Sequence, residues 1–383
     1  MEERENLDPS QLQILEEIEE IIAKPLELVE EIVMDTLGVK IDGKNIVGMG
    51  LFGVEMKNIP ETLFKLKNLE ELNLAYNKIE ILPEKIGELK SLKELELSLN
   101  NLTHLPASLG NLTSLEIISL EQNKLEKIPE TMGNLERLRE LNLNENNLQS
   151  IPTSFGNLKS LIKLELKSNQ LNNIPEEIGN IKSLKSLILG SNRLKVLPWS
   201  IWSLKNLNYL YLENNPWEGE WNDLVNKDIP TLLEICRKKA NIFIFISHTV
   251  AEFEKYKIKE LASFLGQQKE VYETFFCERD MVGDIKRSMQ KNIIQSQILV
   301  FIATHKSVFE SEDCKFELEE ARRNGVEVIP IKGEDISWEE MKSVGLSSTK
   351  GLNFDGDQFE VFKNELYKYI LQYKRKINLF QKS

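Results

Sequence analysis

Long apolar runs are missing from this 383-residue sequence: no stretch approaches the 18 or so residues that a membrane helix requires. Met1 is followed by Glu2, Glu3 and Arg4 rather than by an apolar segment of signal type, so the expectation is a cytoplasmic protein that neither enters nor crosses a membrane. Cysteine is scarce. Cys236, Cys277 and Cys314 are too few and too scattered for a disulfide framework or a metal knuckle, and His104, His248 and His305 add no ligand spacing, which speaks against a metal site. Clustered basic charge is missing as well. The net charge is −13, with 12 acidic and 3 basic side chains in residues 1–40 and near-balance over 41–240 and 241–383. Binding to nucleic acid or anionic lipid needs dense Lys and Arg, so neither is expected. The acidic first 40 residues read as a solvated helix face, or alternatively as a dock for a basic partner.

What is present is a period. Asparagine recurs every 23 residues at Asn77, Asn100, Asn123, Asn146, Asn169, Asn192 and Asn215, and proline keeps the same step from Pro60 to Pro198. Leu69, Leu72 and Leu74 precede Asn77, and the same triplet precedes each later Asn, with Ile118 as the one substitution. Each unit offers a short strand with alternating apolar residues that cannot bury its face alone, so neighbours must stack. The pattern L-x-x-L-x-L-x-x-N-x-L-x-x-(L/I)-P resembles the leucine-rich-repeat family over about residues 44–230. That resemblance implies a ladder in which each Asn side chain bonds to loop backbone inside the coil. Ile46, Met49 and Leu51 fit the grid one step earlier, with Val54 in the Asn position, giving eight units.

Both ends of such a stack need caps. Asp8-Pro9-Ser10-Gln11 predicts an N-cap with Pro at the first helical position, and Leu12, Leu15, Ile18 and Ile22 form the face turned toward the first repeat. Pro25 should end that helix, and a second helix is expected to about Leu37. At the other end Trp217, Trp221 and the run from Ile229 to Cys236 would close the stack. Gly48-Met49-Gly50-Leu51-Phe52-Gly53 matches G-x-G-x-x-G, but Met49 and Leu51 belong to the repeat strand and no helix opens on the last glycine, so it does not read as a dinucleotide loop. Outward strand positions form two columns, one from Glu71 to Tyr209 and the next from Asn73 to Tyr211. They are acidic at Glu94 and Glu140 and end in two tyrosines, which points to a protein partner on this concave face.

After residue 240 the pattern changes. Asn241–Ile246 is a continuous apolar run, the mark of a strand buried on both faces of a parallel sheet. Strands at Val271–Phe276, Ile298–Ala303 and Val326–Ile331 alternate with helical stretches near Glu252–Leu265, Asp284–Ser296 and Asp313–Asn324. Phe245-Ile246-Ser247-His248, Arg279-Asp280-Met281-Val282-Gly283 and Cys314-Lys315-Phe316-Glu317-Leu318 resemble, in order, three boxes of the Toll/interleukin-1 receptor (TIR) domain family. Val282 replaces that family's proline and Asp313 its frequent tryptophan. The expected organisation is a helical cap (1–43), a leucine-rich-repeat solenoid with its C-terminal cap (44–240), and a flavodoxin-like parallel α/β TIR domain (241–383).

Many TIR domains cleave NAD⁺ with the glutamate of the third box, so the resemblance implies Glu317 as the catalytic carboxylate and NAD⁺ as substrate rather than cofactor. Nicotinamide leaves as a neutral molecule from a cationic precursor, so one carboxylate stabilising the developing oxocarbenium charge is enough, where ordinary glycosidases need two. Ser247, Arg279, Asp280, Gly283 and Ser311 match pocket or assembly-loop positions of the family, and helix capping or loop hydrogen bonding is the other reading of each. Two functions of different class follow. One is a sensor whose repeats recognise a molecule and whose TIR domains associate and consume NAD⁺ in an innate-immune or cell-death type of response. The other is a non-catalytic TIR scaffold. No G-x-x-x-x-G-K-[ST] loop lies between the halves, so activation would come from clustering rather than from nucleotide exchange.

Overall fold

The computed structural model describes residues 4, 6–276, 285–347 and 351–380, and it divides into one unit at Met1–Cys236 and a second at Arg237–Ser383. In the first unit, helix α1 (Pro9–Ile22) is capped by Asp8, whose carboxylate accepts from the Ser10 N–H at 2.9 Å. Ile14, Leu15 and Ile18 are buried beneath it. Gln11 fastens the helix to the first repeat, accepting from the Ile46 N–H at 2.6 Å and donating to Asn45 Oδ1 at 2.8 Å.

The expected second helix is not there. Beyond Pro25 the chain forms strand β1 (Glu27–Leu28), a turn, and the antiparallel pair β2 (Leu37–Asp42) and β3 (Asn45–Leu51). The cap over residues 1–43 is therefore one helix plus extended chain. The reason lies in Asp42-Gly43 between two runs of alternating apolar residues, a strong hairpin signal that outweighs the acidic, helix-like composition of Glu27–Asp35. Gly43 takes φ +57°, which a glycine adopts without a Cβ clash.

From β3 onward the strands step by one 23-residue unit each. β4 (Glu71–Asn73), β5 (Glu94–Glu96), β6 (Ile117–Ser119), β7 (Glu140–Asn142), β8 (Lys163–Glu165), β9 (Ser186–Ile188) and β10 (Tyr209–Tyr211) are all parallel, with Gly48 opposite Glu71, Glu71 opposite Glu94, and so on to Tyr209. Each Pro stands at the N-cap of a five-residue 3₁₀ turn such as Glu84–Glu88, which returns the chain on the outer side. The repeated leucines are buried from Leu69 to Leu189, and in the last unit Leu210 is half-buried.

The asparagines do form a ladder. Asn146 Oδ1 accepts from the Leu125 N–H at 3.0 Å, and its Nδ2 donates to Leu120 O at 2.9 Å, both in the preceding unit. The same pair of bonds recurs from Asn77 to Asn215. The series breaks at position 238, a lysine, where the next Asn would have reached Leu212 O. There the Trp217 indole Nε1 donates to Leu212 O at 3.2 Å instead. Trp221 is buried against Trp199 at 5.1 Å between ring centroids, and Leu232 and Cys236 of a helix at Ile229–Ala240 complete the seal.

The second unit is a five-stranded parallel sheet in the order β12-β11-β13-β14-β15. β11 (Ile242–Ser247) lies between the edge strand β12 (Val271–Phe276) and the central strand β13 (Ile298–Ala303), with β14 (Glu327–Lys332) and β15 (Leu352–Asn353) beyond. Ile242, Ile244 and Ile246 bury on one face of the sheet and Phe245 on the other, which is why the run carries no polar alternation. The helices that bear on function are one at Ile285–Gln295 and one at Glu312–Arg323, each within two residues of its predicted bounds.

Asn146→Leu should destabilise the repeat unit by about 2–4 kcal/mol, because the Leu125 N–H and the Leu120 carbonyl both lose a buried partner. Thermal unfolding followed by circular dichroism measures it, and an unchanged transition would show that the ladder does not support this position.

Candidate active site

In an open parallel sheet of order 2-1-3-4-5, ligands gather outside the carboxyl ends of the strands where the order reverses, which here lies between β11 and β13. Ser247 ends β11 and is 1 % exposed. After β13 the chain makes a π-turn at Lys306–Glu310, closed by the Ser311 N–H to Lys306 O at 2.9 Å, before the Glu312–Arg323 helix begins. Single π-turns mark functional sites more often than regular helix does. The turn sets Ser311 as N-cap of that helix, accepting from the Cys314 N–H at 3.2 Å.

Glu317 lies two turns into the helix and is 2 % exposed, whereas its neighbour Glu319 faces solvent. Burial pushes the Glu317 carboxyl from the usual 4.5 up to about 8; the Ser247 hydroxyl beside it works against that rise, and the charge of Asp313 adds to it. The structure therefore brings together Ser247 and Glu317, from strand end and helix, with Cys314 close to both. Cys314 is no rival nucleophile. Its thiol is driven up to about 12, by burial first and by Glu317 second. Glu320 is buried too, but it is tied to Arg323 and accepts from Gln290 Nε2 at 2.9 Å.

A second carboxylate, absent from the sequence reading, spans the strand ends. Glu252 Oε2 accepts from the hydroxyl of Thr249, just past β11, and from the Thr304 hydroxyl, just past β13, the latter at 2.8 Å. Thr304 is itself held by Ser307, whose Oγ accepts from the Thr304 N–H at 2.8 Å. The signal was in the sequence: Thr249-Val250-Ala251-Glu252 has the S/T-x-x-E spacing of a capping box, and Thr249 stands at the N-cap position of a short 3₁₀ turn at Val250–Glu252, its hydroxyl spent on Glu252 rather than on a backbone N–H. His248 is buried next to Thr249 in the chain, edge-on to Phe253 at 5.3 Å. Arg279, Asp280 and Gly283, with the rest of the second box and Cys277, lie outside the described residues.

On the repeat unit Glu94 and Glu140 stand two strands apart in the concave sheet's first outward column, with Ile117 between them. Tyr209 is 52 % exposed at the column's far end, and the Tyr211 hydroxyl donates to Glu213 at 3.0 Å.

The comparisons agree with both units. Family models described as "Leucine-rich repeat region" and "Leucine rich repeat" match residues 49–150, 136–194 and 163–216, and one described as "TIR domain" matches residues 244–366. The chain joins leucine-rich repeats to a TIR domain. No curated protein matches it. Among solved structures, a leucine-rich-repeat protein of Leptospira interrogans is 23 % identical over 79 % of this chain and 70 % of that one, with a TM-score of 0.43. Repeats and TIR domain together make this a signalling protein that works through protein interaction. Among the described residues of the two units, no helix is long and apolar enough to cross a membrane and no cluster of three His, Cys, Asp or Glu could hold a metal.

The Glu317 carboxyl keeps its proton in the folded TIR domain between about pH 4.5 and pH 8, where the unfolded chain has released it. Stability therefore falls as pH rises through that window, by an amount on the order of 4 kcal/mol. Glu317→Gln removes the titration. Its TIR transition should melt above that of the parent at pH 8, and the gap should close toward pH 5; a gap that does not depend on pH would show that Glu317 is not the buried acid.

Proposed function

We propose that the TIR domain cleaves the nicotinamide–ribose bond of NAD⁺, with Glu317 as the catalytic carboxylate, in a cytoplasmic sensor whose repeats recognise a protein and whose TIR domains act on assembly in an innate-immune or cell-death type of response. The observation that carries the reading is the isolation of Glu317 from water at the switch point of the sheet, beside Ser247. A buried acid beside the strand ends, pushed far from its ordinary pKa, is an arrangement in which catalytic groups are often found.

The chemistry follows from charge. The substrate's nicotinamide ring is cationic, and the ribose gains positive character as the bond breaks. An ionised Glu317 stabilises that charge in a site with little water, where the interaction is far stronger than in solution. Nicotinamide departs neutral and needs no proton. Water, or the adenine of the same molecule, then takes the ribose carbon, giving ADP-ribose or a cyclised product. Burial keeps the carboxyl largely protonated at neutral pH, so a cationic substrate must draw the proton off. Ser247 supports the ionised form by hydrogen bonding. Arg279, Asp280 and Gly283, on the second box, are assigned to contacts between neighbouring TIR domains.

The second reading, a TIR scaffold without turnover, rests on Asp313 and Val282 standing where the family has tryptophan and proline.

Purified protein incubated with NAD⁺ and followed for nicotinamide release distinguishes the two. The reading expects specific activity that rises with protein concentration, disappears in Glu317→Ala and is nearly unchanged in Glu319→Ala. It also expects kcat/KM to climb with pH along a limb centred near 8, since the ionised carboxylate is the working form. Activity in Glu317→Ala within a few-fold of the parent assigns the chemistry elsewhere, and no release at any concentration leaves the scaffold. Asp280→Ala or Gly283→Val should abolish the concentration dependence.

A further inference from the structure

The glycines of the G-x-G-x-x-G run have a use after all. Residues 29–36, between β1 and β2, pass across the concave side of β2–β4 as a strap. A Cβ on Gly48 would meet Ile32 Cγ1 at 2.7 Å, and one on Gly50 would meet the Thr36 carbonyl oxygen at 2.6 Å. Asn73 pins the strap by donating to Val33 O at 2.6 Å and Met34 O at 2.8 Å. Val33 and Met34 are left 53 % and 55 % exposed, facing a cleft of about 150 Å³ whose other wall is Glu94, Glu96 and Ile117. Pockets for whole small molecules start near 300 Å³. This one has room for a single side chain.

The charges of the outward column show which kind. At its first position Glu71 is already neutralised from within the chain, by Lys40 at 2.6 Å. Farther along, Lys163 pairs with Glu165 at 2.8 Å. Between these two internal pairs, Glu94, Glu96 and Glu140 have no ion pair among the described residues. Partial burial and then repulsion from Glu71 hold the Glu94 carboxyl above its ordinary range, against the pull of Lys40. The face is short of positive charge at that place.

We propose that the cleft between the strap and β5–β6 takes a lysine or arginine side chain of a protein partner, its head on Glu94 and Glu96 and its aliphatic stem, with an apolar neighbour, against Val33 and Met34. Lys40 on Glu71 is the internal counterpart of that contact one strand earlier. The proposal rests on the reading that the repeats recognise a protein, and it names the chemistry of what they recognise. Long basic side chains lay their methylenes on apolar surface while the charge stays with its partner, which is what an apolar strap facing carboxylates provides.

The test uses the full chain and short fluorescein-labelled peptides of alternating Lys-Leu, Glu-Leu and Lys-Ser, followed by fluorescence anisotropy at low and high salt. Lys-Leu should bind, Lys-Ser more weakly and Glu-Leu not at all, with affinity falling as salt rises. The double variant Glu94→Gln, Glu96→Gln and the single variant Met34→Ser should each weaken Lys-Leu binding by roughly ten-fold or more, while the exposed Glu145→Gln should not. Melting curves of the variants confirm that the solenoid is intact. Equal binding of Lys-Leu and Glu-Leu, no binding of either, or an unchanged Glu94→Gln, Glu96→Gln variant overturns the proposal. Self-association that is lost in the double variant also overturns it, making a second copy the occupant. Glu-Leu binding abolished by Tyr209→Ala would likewise overturn it, yet leave the concave face as a protein-binding surface. Nicotinamide release from the same preparations reports on Glu317 separately.

Discussion

The asparagine ladder is the interaction on which the solenoid depends. A coil this tight leaves backbone N–H and C=O groups on its inner turns with no water and no strand partner, and unpaired groups there are costly. One side chain per unit meets the need. Asn carries a donor and an acceptor on the same short arm, so it serves an amide and a carbonyl of the preceding unit together, as Asn100 does for Ile79 N and Leu74 O. With those groups satisfied, Leu72, Leu95 and their counterparts can pack without water, and the strands can hold one register for the length of the stack.

The same register aligns the outward side chains in columns, which is how a plain structural repeat becomes a surface with a charge pattern. The proposed partner contacts on this unit fall on the variable positions, and the proposed chemistry of the TIR unit falls where the strand order reverses. The two units hold carboxylates in opposite ways. Glu94 lines an open cleft, while Glu317 is enclosed, where burial favours its neutral form. Glu252 makes the second arrangement durable, since it ties the ends of β11 and β13 through two threonine hydroxyls.

Legibility in the sequence followed periodicity. The eight units, the 23-residue register and the parallel α/β pattern rest on repeats or on motifs with fixed spacing, and those survive in one dimension; Ser247 and Glu317 were each marked by a separate box, and only the folded chain puts them side by side. The strap does not. Residues 27–35 look helical by composition, and only the distant Gly48, Gly50 and Asn73 reveal that they lie extended across the sheet. Glu252 was missed for a related reason: Thr249 and Glu252 spell a capping box, but the bond to Thr304 joins residues 52 positions apart. Burial of Glu317 beside an exposed Glu319 is a matter of helix phase against the sheet, which composition around the motif does not record.

The ladder also has a direction. Each asparagine reaches back, so a unit's inner amides depend on the one that follows it, and Trp217 stands in only for the last. Separating the final coil strips Leu194 N and Leu189 O of the Asn215 side chain that serves them, and each further loss exposes the coil before it. Fraying therefore travels from the C-terminal end of the solenoid toward its start, and a pull applied beyond Trp217 opens the stack one coil at a time.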